Sequence, residues 1–208
     1  MAAELILIGS GGHCRSCIEV IETTPFRIAG VLDKNGHTAG ILGYSILGSD
    51  EMLPELVTQS YQFLITVGQV RAVSIRKNLY ELLKKHRGQL ATVVAHSAQV
   101  SKRSEIGEGS IIMHQALVNS GASIGVNCII NTKSLIEHDC IVGNHTHIST
   151  GAVVNGGCKI GDDVFIGSNT VIIQGITITE GVTIGAGTVI ARDILDPGTY
   201  VGNPARKI

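Results

Sequence analysis

From Val94 to Ile190 an aliphatic residue, Ile or Val, stands at every sixth position without a gap. The run Val94, Val100, Ile106, Ile112, Val118, Ile124, Ile130, Ile136, Val142 continues through Ile148, Val154, Ile160, Ile166, Ile172, Ile178, Ile184 and Ile190. Neither the 3.6-residue period of a helix nor the two-residue period of an ordinary strand produces this beat. A coil of three short flat strands joined by tight corners does, so this half of the chain is expected to be a parallel β-helix. Three hexads make one coil of about 18 residues, and residues one coil apart should stack at the strand spacing of about 4.8 Å.

A second register lies four residues after each aliphatic and is small or β-branched, as in Ser110, Ala122, Cys128, Cys140, Thr146, Cys158 and Thr170. These residues are expected to line the wall where it bends inward. The position just after the aliphatic is often Gly or Asn (Gly107, Asn119, Gly125, Asn131, Gly143, Asn155, Gly161, Gly167, Gly185). Such residues tolerate left-handed backbone, which places the corners there.

Before Val94 the pattern changes. Leu5-Ile6-Leu7-Ile8 reads as a buried parallel strand. Gly9-Ser10-Gly11-Gly12-His13 follows, then a helix carrying Cys17, Ile18, Val20 and Ile21, a strand from Ile28 to Leu32 ending at Asp33, and a strand from Phe63 to Val67 ending at Gly68. Ala72, Ile75, Leu79, Leu82 and Leu83 recur at helical spacing. The order is that of a small Rossmann-like half-unit. The expected organisation is an α/β domain over residues 1–90 and a hexapeptide-repeat β-helix over 91–208, with residues near 88–93 joining them.

The glycine-rich turn resembles the opening of a dinucleotide fingerprint, with Asp33 placed for a ribose hydroxyl, but Cys14 stands where the third glycine belongs. So short a domain suits a mononucleotide or nucleotide sugar better; alternatively the glycines serve only the turn. His13, at the helix start, could bind phosphate or merely cap.

Composition narrows the class. Charged residues make up 16% and aromatics 3%, with a net charge of −1. Nothing electrostatic favours nucleic acid, and the low charge suggests outer faces covered by sister subunits. No apolar run is long enough to span a membrane and no signal peptide is evident, so no membrane insertion is expected. With five cysteines, three of them in the inward register, a reduced cytoplasmic protein is expected.

Chemistry is expected where polar residues break the repeat. Glu137-His138-Asp139 puts three ionisable groups at one corner. A histidine beside a carboxylate is suited to accept a proton near neutral pH; Glu137 reads equally as part of a solvated corner. His145 is more plausibly structural, and His37, His86, His96 and His114 belong on surfaces. Half a coil separates His138 from His147, so the two point to opposite sides of one prism and could meet only between subunits. Cys140 points inward, away from His138, and no metal-ligand spacing is present, so no metal is expected. A nucleotidyltransferase is disfavoured by the short first domain, and a carbonic-anhydrase-like solenoid by the divergent histidines.

These features, with the run Asn131-Thr132-Lys133-Ser134-Leu135-Ile136-Glu137-His138-Asp139-Cys140 and the ending Gly202-Asn203-Pro204-Ala205, resemble the bacterial sugar acetyltransferases of the sialic-acid O-acetyltransferase type. Within that family the chain is most similar to the N-acetyltransferases of the bacillosamine and perosamine pathways. The resemblance implies a left-handed β-helix, a homotrimer, acetyl-CoA as co-substrate, and a nucleotide-linked 4-amino-4,6-dideoxy sugar as acceptor; O-acetylation of a sialic-acid-like sugar is the alternative. It implies His138 as general base supported by Asp139, and Asn131 near the reacting amine. His147, Gly156, Ser168 and Ala186 would contact acetyl-CoA, and Gly11, Gly12, His13, Asp33, Lys34 and Gly68 would form the nucleotide-sugar pocket.

Overall fold

The computed structural model describes residues 3–34, 40–69 and 73–208. Two compact units divide it, Met1–His96 and Ser97–Ile208. His37 and Ala72 lie outside the described residues.

The first unit is built on a parallel sheet of five strands: β1 (Glu4–Ile8), β2 (Arg27–Leu32), β3 (Ile46–Gly48), β4 (Gln62–Ile65) and β5 (Gln89–Leu90), in the order β3-β2-β1-β4-β5. Leu5 to Ile8 put β1 at the centre, each fully buried. Helix α1 (Gly12–Ile21) buries Cys14, Cys17, Ile18, Val20 and Ile21. A single 3₁₀ turn (Asp50–Met52) leads into the short α2 (Leu53–Leu56), and α3 (Val73–Lys85) precedes β5. Strands β3 and β5 are two or three residues long, too short to leave a periodic signal in sequence.

Helix α3 departs from the expected stripe. Its buried side chains are Arg76, Leu79, Tyr80 and Leu83, while Ile75 is 54% exposed. Arg76 takes the inward place because Nη1 donates to the carbonyls of Ile65 (2.6 Å) and Val67 (2.8 Å), so its charge is buried together with hydrogen-bond partners.

The second unit is the parallel β-helix that the six-residue beat predicts. Three sheets form its walls. The first stacks Gln99–Val100, Leu117–Val118, Leu135–Ile136, Val153–Val154, Val171–Ile172 and Val189–Ile190. The second stacks Glu105–Ile106, Ser123–Ile124, Ile141–Val142, Lys159–Ile160 and Thr177–Ile178. The third runs from Ile111–Ile112 through Ile129–Ile130, His147–Ile148, Phe165–Ile166 and Thr183–Ile184 to Thr199–Val201, with Arg206–Lys207 returning antiparallel. Ladder partners are one coil apart, as in Leu117↔Leu135 and Val118↔Ile136.

From Ile112 to Ile190 every member of the aliphatic series is at most 2% exposed, while Val94, Val100 and Ile106 are half-buried. The small register is buried from Ser110 onward, including Cys128, Cys140 and Cys158. Its hydroxyls and thiols bond across coils: Ser110 Oγ donates to Gly125 O (2.8 Å), Thr146 Oγ1 to Gly161 O (2.9 Å) and Cys140 Sγ to Asn155 O (3.2 Å). The wall can thus bury polar groups without leaving them unmatched.

The corners sit two residues later than expected. Positive φ falls on positions 109, 115, 121 and every sixth residue to 187, among them Asn127, Asp139, His145 and Gly157, and on none of Gly107, Gly125, Gly143, Gly161, Gly167 or Gly185. Those glycines answer to space instead. A Cβ on Gly107 would stand 2.6 Å from the Gly125 carbonyl carbon, one on Gly161 2.6 Å from Glu180 N, and one on Gly167 2.6 Å from Ala186 N. Adjacent coils approach too closely there for any side chain.

Candidate active site and its relatives

The three walls meet at three edges, and the edges sort the candidate residues. Glu137-His138-Asp139 turns from the first sheet to the second, and Gly156 lies one coil further along the same edge. Asn131, Ser168 and Ala186 lie on the edge from the third sheet to the first. His147 is on the outer face of the third sheet, beside that last edge. One chain therefore brings His138 together with Gly156 but holds Asn131, His147, Ser168 and Ala186 on a different edge.

At the first edge Asp139 has φ 59, where its stacked neighbours are Gly121, Gly157 and Gly175, all at positive φ. Asp tolerates this left-handed conformation better than most residues, yet at a cost of about 1 kcal/mol or more, which suggests that its side chain is needed there. Asp139 Oδ2 lies 2.9 Å from His138 Nδ1. A carboxylate only accepts, so Nδ1 carries the proton and Nε2 keeps its lone pair. This hydrogen bond is the largest effect; desolvation opposes it, the charges of Asp139 and Glu137 add to it, and together they raise the His138 pKa above 6.5.

The His138 ring lies over Gly156, and a Cβ there would stand 2.6 Å from Nε2 and 2.7 Å from Cε1. The bare glycine is what leaves room for Nε2. Glu137, His138, Asn155, Gly156, Gly157, Gln174 and Gly175 line an open groove of about 670 Å³. Backbone bonds from Gly157 N to His138 O (2.9 Å) and from Gly175 N to Gly156 O (2.9 Å) fix successive coils along it.

At the other edge Asn131 Nδ2 and His147 Nε2 are 3.1 Å apart, and the His147 ring meets Phe165 edge-on at 5.2 Å between centroids. His147 is buried, at 4% exposure, so within one chain it presents almost no surface. Ser168 Oγ pairs with Ser149 Oγ at 3.0 Å. On the remaining edge His145 is buried with Nδ1 3.0 Å from the Asn127 amide, a structural placement. His96 is exposed, whereas His86 and His114 are half-buried. Among the described residues no group of three or more His, Cys, Asp or Glu is arranged to hold a metal ion. Cys140 is no nucleophile: it faces inward, and the neighbouring Cys158 thiol and then burial push its thiol up.

In the first unit the strand ends gather Ser10, Asp33, Lys34, Asp50 and Gly68. Gly9 is the turn residue that needs glycine, at φ 103 with Val67 against the place of a Cβ. Gly11, at φ −72, caps α1, and a Cβ on Gly11 or Gly12 would meet nothing within 4 Å. These two glycines keep open space at a helix N-terminus, where backbone N–H groups favour an anion. A Cβ on Gly68 would stand 3.3 Å from the Cβ of His13. Asp33 is buried and accepts from Ser10 Oγ at 2.7 Å. Burial raises the Asp50 carboxyl, with Lys34 opposing and Asp33 adding to the shift. Asp50 and Ser10 escaped the sequence reading.

Residues 4–83 match the family described as PglD N-terminal domain, and residues 157–192 match bacterial transferase hexapeptide (six repeats). Among curated protein sequences none matches the chain. Among solved structures, the acetyltransferase domain of PglB from Neisseria gonorrhoeae FA1090 in complex with acetyl coenzyme A is 31% identical, with a TM-score of 0.94 and all of both chains covered. The chain belongs to the bacterial sugar acetyltransferases that join a PglD-type N-terminal domain to hexapeptide repeats.

The β-helix of this acetyltransferase is accordingly the left-handed one, and its first unit is the small α/β domain that precedes it in such enzymes. PerB from Caulobacter crescentus, solved in complex with CoA and GDP-perosamine, is 29% identical over 100% of this chain and 98% of its own, with a TM-score of 0.93. WeeI from Acinetobacter baumannii AYE, at 24% identity and a TM-score of 0.85, shares the fold.

Proposed function

We propose that this protein transfers the acetyl group of acetyl-CoA to the 4-amino group of a nucleotide-linked 4-amino-4,6-dideoxy sugar. The observation that carries this is the His138 geometry: Nδ1 is tied to Asp139, and Nε2 stands over Gly156 in an open groove. It occurs in a chain similar along its whole length to a PglB domain solved with acetyl coenzyme A and to PerB solved with CoA and GDP-perosamine.

Once deprotonated, the neutral sugar amine attacks the thioester carbonyl directly. His138 Nε2 takes a proton from the nitrogen, and Asp139 holds the imidazole in the required tautomer and stabilises the imidazolium that forms. Placing both substrates supplies much of the acceleration, and a base of this kind adds a factor of about 10²–10⁴. Gly11, Gly12, His13, Asp33, Lys34 and Gly68 would take the nucleotide sugar, its phosphates at the start of α1.

The working unit is a homotrimer in this proposal. An aliphatic column, Leu117, Leu135, Val153, Val171 and Val189, runs half-buried down the outside of the first sheet and is suited to a subunit interface. Residues on separate edges of one prism also need a second chain to meet. Against a neighbour, the Asn131, His147, Ser168 and Ala186 edge would complete the groove that His138 and Gly156 begin. Among the described residues no helix is long and apolar enough to cross a membrane, and five free buried cysteines favour a reducing compartment such as the cytoplasm.

The test is CoA release from acetyl-CoA with UDP-, dTDP- and GDP-linked 4-amino-4,6-dideoxy sugars, run beside free sialic acids. An amide product from a nucleotide amino sugar is expected. Turnover of sialic acids alone would overturn the assignment in favour of O-acetylation.

A further inference from the structure

The edge that carries His138 holds a second carboxylate to which the reaction as described gives no part. Glu137 Oε2 accepts two hydrogen bonds, from Asn119 Nδ2 at 2.9 Å and from the backbone N–H of His138 at 3.1 Å. Asn119 stands one coil before Glu137 and is itself held, its Oδ1 accepting from Ser120 N at 2.8 Å. Glu137 is half-buried and lines the same groove as His138, Asn155 and Gly156. One oxygen of this carboxylate is thus anchored, and no described group bonds the other, Oε1.

A sugar amine near neutral pH is largely an ammonium group with three N–H donors, whereas a sugar hydroxyl carries no charge. An anchored carboxylate beside the base rewards the first and not the second, because hydrogen bonds between charged partners are about twice as strong as neutral ones. Resting on the acetyltransferase reading above, we propose that Glu137 is the residue that selects an amine acceptor over a hydroxyl acceptor. Oε1 receives the ammonium group, and His138 Nε2 takes one proton to free the nitrogen lone pair. The nitrogen then bonds to the acetyl carbonyl carbon. As the C–S bond breaks, its electron pair leaves on sulfur, and the CoA thiolate takes the second nitrogen proton.

The simpler alternative is that Glu137 only braces the turn. E137Q separates the two, since glutamine keeps an oxygen for Asn119 and for the His138 N–H but loses the charge. The experiment compares wild type and E137Q for KM and kcat with the amino sugar nucleotide, for KM with acetyl-CoA, and for inhibition by the corresponding 4-hydroxy sugar nucleotide. Expected is a rise of about 10- to 100-fold in KM for the amine, with kcat, the acetyl-CoA KM, hydroxy-analogue inhibition and Tm nearly unchanged. An unchanged amine KM, or equal weakening of the amine and hydroxy compounds, would overturn the proposal. A wild-type protein that turns over hydroxyl sugars and no amine would instead overturn the parent reading and this one with it.

Discussion

Gly156→Ala is the most informative small change, because it adds one methyl group against the reactive face of His138. In the native geometry that methyl would lie 2.6 Å from Nε2, 2.7 Å from Cε1 and 3.2 Å from Cδ2. Ordinary carbon–nitrogen contact needs about 3.5 Å, so the ring must retreat by roughly 0.9 Å. The His138 side chain is 61% exposed and free to swing, and its backbone bond to Gly157 N is not involved. Folding should therefore be spared, with Tm within about 2 °C of wild type. Catalysis should not be spared. A misplacement near 1 Å costs on the order of 10²-fold, and swinging the ring also strains the 2.9 Å bond from Nδ1 to Asp139. The expected result is a fall in kcat of about 10- to 100-fold. The measurement is steady-state CoA release beside a melting curve. Wild-type kcat in G156A would refute Nε2 as the reacting nitrogen, and a parallel collapse of Tm would mean that Gly156 serves packing instead.

Three further outcomes are expected. Because the His138 pKa is raised chiefly by its bond to Asp139, and because a base must be neutral, activity in the wild type should rise with pH through a value above 6.5. D139N should move that limb to lower pH while reducing kcat, and an unmoved limb would remove Asp139 from its role. Gly12→Val points a side chain into open space; it should raise KM for the nucleotide sugar about tenfold or more, equivalent to about 1.4 kcal/mol, and leave acetyl-CoA binding and Tm alone, whereas equal loss of both ligands would place the nucleotide elsewhere. Gly161→Ala sets a methyl 2.6 Å from Glu180 N and 2.8 Å from Thr179 C, backbone that cannot swing aside. It should cost about 1–3 kcal/mol, or roughly 3–10 °C in Tm, and an unchanged melting curve would show that the coils can part.

The six-residue beat made the second unit legible because a prism with so narrow a core admits one side-chain pattern, and each coil repeats it. The same beat carried His138 outward and Cys140 inward. Composition misled at the corners because glycine serves two needs in this fold. At Gly157 and Gly175 it supplies left-handed backbone, at Gly107 and Gly161 it makes room between coils, and both read as glycine at a fixed spacing. The 18-residue stacking distance also assigns the neighbours of this edge: one coil forward from His138 is Gly156, and one coil back from Glu137 is Asn119. In the first unit the buried Arg76 was out of reach, because what permits its burial is a pair of backbone carbonyls, at the end of β4 and just beyond it, which carry no side-chain signature. The division of Asn131 and His138 between edges follows from the same coil arithmetic, and it is what makes a second chain necessary to the proposed groove.

The claim on which the rest depends is that His138 is the base for amide formation on a nucleotide-linked amino sugar. Its most direct test is turnover by wild type and H138A with acetyl-CoA and the best of the UDP-, dTDP- and GDP-linked 4-amino sugars, with oligomeric state and CoA affinity measured on the same samples. The account predicts a 4-acetamido product, a loss of kcat of about 10²–10⁴-fold in H138A, and an unaltered oligomer that binds CoA as before. Near-normal turnover by H138A would contradict it.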